Sequence, residues 1–125
     1  MSKAPKILVV DDDAELVQVT SNTLRSKLYD VVVAYNGEEG LEKAKKEKPD
    51  LILLDIMMPV RDGFSAAERF KKDEELSKIP IIAITSFSES LGQPFDYQFD
   101  EYINKPIRAK DLLNLVAKYL KKEGE

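Results

Sequence analysis

The apolar positions of the chain fall into two kinds of stretch. Short continuous runs occur at Lys6-Ile-Leu-Val-Val10, Asp30-Val-Val-Val-Ala34, Leu51-Ile-Leu-Leu54, Ile79-Pro-Ile-Ile-Ala-Ile-Thr85 and Glu101-Tyr-Ile-Asn104. They are too short for buried helices and too continuous for strands with one wet face. Strands buried on both sides read this way, as in parallel sheets covered by helices. Between them the apolar residues recur at helical spacing. Ala14 to Ser26 carries Leu16, Val17, Thr20 and Leu24, and Glu38 to about Glu47 presents Leu41 and Ala44. Phe64 to Lys72 presents Phe64, Ala67 and Phe70, and Ala109 to Lys122 presents Leu112, Leu113, Val116, Ala117 and Leu120. Asn36-Gly37 reads as a turn into the second helix and Pro49 marks its end. Between Phe87 and Asp100, Gly92, Pro94 and Phe95-Asp-Tyr-Gln-Phe99 form a poor helix by propensity, so a short or distorted one is expected there. The alternation predicts an α/β domain: a five-stranded parallel sheet with helices on both faces, joined by right-handed crossovers.

The polar residues at the strand ends carry the chemistry. The first strand runs into Asp11-Asp12-Asp13, the third into Asp55, the fourth ends at Thr85, and the fifth is stopped by Lys105-Pro106. In a parallel sheet these ends share one edge, where open α/β folds bind their ligands. An acid at a helix start is favoured by the helix dipole, and Asp13 is read that way. Three adjacent acids repel one another, however, and predict a cation nearby. Carboxylates with a hydroxyl and an ammonium suit an oxygen-held divalent cation beside an anion. Phosphoryl transfer needs those parts, and a carboxylate can be its nucleophile.

Composition narrows the chemistry further. The 125 residues suggest one domain spanning the whole chain, its core from about residue 5 to 122. Cysteine and histidine are both absent, which excludes thiolate sites, a thiol nucleophile and the commonest general base. A bound metal would be held by oxygen, pointing to Mg²⁺, Ca²⁺ or Mn²⁺. The net charge of −4, with Lys and Glu interleaved along the helices, gives no footprint for nucleic acid. No apolar run approaches a membrane span and Met1-Ser-Lys-Ala-Pro-Lys6 lacks the apolar region of a signal peptide, so a cytoplasmic setting is expected.

The sequence resembles the receiver domain of two-component response regulators, the CheY-like group. The residues that carry the resemblance are Ile7-Leu-Val-Val-Asp-Asp12, Leu54-Asp-Ile-Met-Met-Pro59 with Asp62-Gly63, Ile84-Thr-Ser86 and Tyr102-Ile-Asn-Lys-Pro106, in the family's order and spacing. The resemblance implies the sheet order 2-1-3-4-5 and a switch phosphorylated on Asp55 by a histidine kinase or a histidine phosphotransfer protein. It implies Mg²⁺, with Mn²⁺ as a substitute, held by Asp11, Asp12, Asp55 and the backbone carbonyl of Met57. Thr85 and Lys105 would bind phosphoryl oxygens, Tyr102 would turn inward as Thr85 moves, and Lys105-Pro106 would be a cis peptide. With few residues after the last helix and no output domain, the effector is expected on another chain, unless the sequence is an excised piece of a longer protein. The sequence departs from the family between Thr85 and Lys105, a shorter segment than is common, where Gln98 and Phe99 replace small residues. It departs again at Ile107, where Phe is usual.

Met57 and Phe87, two residues beyond Asp55 and Thr85, are bulky and apolar. Neither can orient a water molecule, so both are expected to shield an acyl phosphate and lengthen its life, the alternative being that Phe87 only packs against the distorted helix expected after it. Two rival readings differ in class. A phosphohydrolase with an aspartyl-phosphate intermediate needs a second acid close after the nucleophile, where this chain has Ile56 and Met57. A receiver that signals without phosphate would not need the full set of site residues, all of which are present. The reading is therefore a signalling switch that catalyses its own phosphorylation, not a turnover enzyme.

Overall fold

The structure, a computed structural model, describes residues 4–56, 63–85 and 99–120, with backbone alone for 63–65. Five parallel strands, β1 (Lys6–Val10), β2 (Asp30–Ala34), β3 (Leu51–Asp55), β4 (Ile81–Thr85) and β5 (Glu101–Asn104), form one sheet in the order β2-β1-β3-β4-β5. The described residues also form helices α1 (Ala14–Arg25), α2 (Gly37–Glu47), α3 (Gly63–Lys72) and α4 (Ala109–Tyr119). The α/β class and the strand order are as expected. Of the stretch from Phe87 to Asp100, where a short or distorted helix was expected, residues 87–98 lie outside the described residues, as do the side chains of Met57 and Phe87, and Phe99 and Asp100 are not helical.

The continuous apolar runs have the cause the pattern implied. Leu8 and Val10 of β1, Ile52 and Leu54 of β3, and Ala83 of β4 face a cluster completed by Leu41 and Ala44 of α2 and Ala67 and Phe70 of α3. The intervening Ile7, Val9, Leu53, Ile82 and Ile84 face Val17 and Leu24 of α1 and Leu112 and Val116 of α4. Each central strand therefore buries successive residues on opposite faces, and every residue of β3 and β4 is buried. α2 lies especially close to the sheet: a β-carbon added at Gly40 would stand 3.0 Å from a methyl of Val10.

Local boundaries are set by hydrogen bonds that periodicity does not reveal. The Asp13 carboxylate accepts from the backbone N–H groups of Glu15 and Leu16 and caps α1. Asn36 caps α2 in the same way through the N–H of Glu39, so the helix starts at Gly37, one residue earlier than the turn reading gave. β4 starts at Ile81, not Ile79, because Leu76–Lys78 closes a single 3₁₀ turn and Pro80 has no N–H to give. α4 ends at Tyr119 with Leu120 as its cap, and the Lys122 boundary lies outside the described residues.

Two aspartates just before strands stitch the lower edge of the sheet by the same device. Asp50 donates its N–H to the carbonyl of Lys6 (2.7 Å), and its carboxylate accepts the Lys6 N–H (2.8 Å). Asp100 repeats this with Ile81, at 2.9 and 2.8 Å. These bonds register β3 against β1 and β5 against β4, and so align the opposite ends, where the polar residues gather.

Candidate functional site

Four strand ends converge at the carboxyl edge of the sheet. Asp55 closes β3 and Thr85 closes β4. Each is almost fully buried, because its backbone lies between paired strands. Asp11 follows β1 directly, equally buried, with its N–H donated to the Ala34 carbonyl (3.1 Å) and its Oδ1 accepting the Asp13 N–H (3.0 Å). Asp12 is exposed at the rim. Lys105 follows β5 and is tied back by its N–H to the Thr85 carbonyl (2.8 Å); its peptide bond to Pro106 is cis, as expected.

The side chains complete one cluster. Asp11, Asp12 and Asp55 each offer a carboxylate oxygen, all within 4.8 Å of one another. The Lys105 Nζ lies 3.2 Å from Asp55 Oδ2 and 3.8 Å from Asp11 Oδ2. Burial, aided by the neighbouring Asp55 carboxylate, pushes the Asp11 carboxyl up to about 7 against the pull of the Asp13 N–H and of Lys105. Burial works against the Lys105 charge, but Asp11 and Asp55 outweigh it and hold its pKa above the ordinary lysine value. One ammonium among three carboxylates leaves a cation deficit. A hard divalent ion would fill it, and an all-oxygen donor set fits Mg²⁺ rather than a softer metal.

Of the site residues expected from the sequence, the structure brings some together. Asp11, Asp12, Asp55 and Lys105 are in one cluster, and Thr85 adjoins it through the Lys105 backbone. Tyr102 lies lower on β5, paired with Ala83. The Met57 carbonyl and the Phe87 side chain lie outside the described residues. Asp50 and Asp100 set the strand alignment, yet the sequence reading gave them no role. Their only signal is an aspartate immediately before an apolar strand.

A sequence model described as the response regulator receiver domain matches residues 7–117. The chain belongs to this family. Among curated relatives of the receiver domain, the DNA-binding dual master transcriptional regulator RpaA of Synechocystis is 35% identical over 120 residues, covering 94% of this chain and 50% of the relative. The chain spans about half the length of the curated relatives it matches. Among solved structures, the chemotaxis protein CheY4 of Vibrio cholerae is 30% identical with a TM-score of 0.87, over 94% of this chain and 99% of the other. The response regulator TrrA of Thermotoga maritima, in complex with Mg²⁺ and beryllium fluoride, is 32% identical with a TM-score of 0.83, over 93% and 99%. Receiver domains are signalling modules of two-component systems. Among the described residues, no helix is long and apolar enough to cross a membrane.

Proposed function

We propose that this receiver domain accepts a phosphoryl group on Asp55 from a phosphohistidine of a histidine kinase or phosphotransfer protein, and that the modified domain engages an effector. The observation that carries this reading is the Asp55 carboxylate, buried at a strand end, 3.2 Å from the Lys105 ammonium and within the Asp11–Asp12 acid pair. A carboxylate oxygen of Asp55 attacks phosphorus as the phosphorus–nitrogen bond breaks, and the electron pair leaves with the imidazole nitrogen. Asp11, Asp12 and Asp55 would hold Mg²⁺, which supplies charge neutralisation when bound. Lys105, held above its ordinary pKa, stays cationic and transfers its pairing from the carboxylate to a phosphoryl oxygen. The Thr85 hydroxyl, at the end of the adjacent strand, binds a second oxygen, an arrangement that goes with Tyr102 turned inward. The two arrangements present different surfaces, and the phosphoryl group biases their populations.

Intact mass measured after treatment with a small phosphodonor and Mg²⁺ tests the assignment. One phosphate should be added to the parent and none to Asp55→Asn. Equal labelling of both proteins would mean that another residue is the acceptor. Sustained turnover of a chromogenic phosphomonoester would instead favour a phosphohydrolase.

A further inference from the structure

On the sheet face covered by α2 and α3, β4 and β5 set Ala83 beside Tyr102 in register, and both pack with the core of that face. Thr85 lies two residues beyond Ala83 and therefore on the same face, one step nearer Asp55. Ala83 offers only a methyl group, which leaves room for the tyrosine ring. Tyr102 as a whole is half-buried, yet its hydroxyl is buried, so the side chain leans onto the sheet rather than out from the edge strand.

Phe99 meets the tyrosine there. It is 6% exposed, belongs to the same core cluster, and its ring stands edge-on to Tyr102 with centroids 5.8 Å apart and planes at 67°. That is the favoured geometry for an aromatic pair. The phenylalanine is also the better anchored partner. Asp100, its neighbour, exchanges two hydrogen bonds with Ile81, and its carbonyl accepts from the Tyr119 hydroxyl (3.2 Å). A buried ring on an anchored stretch of backbone therefore supports a half-buried one on an edge strand.

We propose that Phe99 is a positioning residue for the switch: it holds Tyr102 turned onto the sheet face before any phosphoryl group is present. The unmodified domain is thereby biased toward the arrangement that phosphorylation selects. An aromatic pair of this kind shifts a two-state equilibrium by roughly two- to twelvefold. The consequence for signalling rests on the phosphoacceptor reading above, whereas the contact itself does not.

Two measurements on the full chain test this separately. The first is the Tyr102 χ1 rotamer by NMR scalar couplings, with no phosphodonor present. One dominant inward rotamer close to the Phe99 ring is expected; an outward or averaged rotamer overturns the proposal. The second is affinity for beryllofluoride in the presence of Mg²⁺, measured in a double-mutant cycle. Phe99→Leu should weaken binding by up to about threefold in the parent, because the inward state is already the major one, and leave it unchanged in a Tyr102→Leu background. A loss of equal size in both backgrounds would mean that Phe99 is merely structural, and would overturn the proposal. Failure of the parent to label on Asp55 would remove the phosphoacceptor reading, while the rotamer measurement still decides whether Phe99 holds Tyr102.

Discussion

Asp11 shows how one buried carboxyl links charge to stability. Its ordinary carboxylate value of 3.8 is raised to about 7 in the fold, so across that interval the native state binds more protons than the unfolded chain. The contribution of this group is fully present below the lower value and is lost as pH rises through the upper one. In metal-free buffer, wild-type stability is therefore expected to fall relative to Asp11→Asn between about pH 4 and pH 7, as read by urea melts at several pH values. At pH 8 the asparagine variant should melt higher than the parent, because a buried charge without full compensation is gone. Ser21 offers a simpler case. It is buried in α1, and its hydroxyl has no hydrogen-bond partner among the described residues. Ser21→Ala gains helix propensity and removes that polar atom, so a stability increase of about 1 kcal/mol is expected in denaturant titration. Neither effect was legible in the sequence. A run of aspartates does not say which one is buried, and a serine in a helix does not say which way it faces.

The elements meet at places where small or bonded groups permit no slack. α2 can approach β1 only because Gly40 lacks a β-carbon, and Val10 opposite it is fully buried and β-branched. Gly40→Ala should gain about 1 kcal/mol of helix propensity and lose about 1–3 kcal/mol to overpacking. A net loss in thermal stability is the expected result, with secondary structure unchanged by circular dichroism. At the lower edge, Asp100 bonds the first N–H of β4 while its backbone holds the start of β5. Asp100→Ala should cost about 1–2 kcal/mol by leaving the Ile81 N–H, partly buried, without its acceptor. The helix and strand identities followed from periodicity together with run length, because the continuous apolar runs are too short for buried helices. The boundaries at Gly37 and Ile81 did not, because caps and single turns leave no apolar signature.

For the molecule as a whole, the polar edge concentrates negative charge that the fold itself does not neutralise. Lys105 is the cation within reach of both buried carboxylates among the described residues. Divalent-ion binding to the native state alone should therefore stabilise the domain, by about 2.7 kcal/mol at a hundredfold excess over the dissociation constant. Calorimetric scans with and without Mg²⁺ should show an upward shift for the parent and little or none for Asp11→Asn. Chelator should reverse the shift.

The amino-acid order alone was enough to define the architecture and to nominate the cluster. Continuous apolar runs require a sheet covered on both faces, and the strands of such a sheet must end along one edge. Asp11, Asp12, Asp55, Thr85 and Lys105 were therefore identifiable from where their strands stop. Proximity alone decided the rest. The 3.2 Å contact between Lys105 and Asp55, the burial that separates Asp11 from Asp12, and the edge of Phe99 against Tyr102 each depend on the folded chain. Those are properties of side chains brought together from separate strands, and a one-dimensional pattern carries periodicity but not distance.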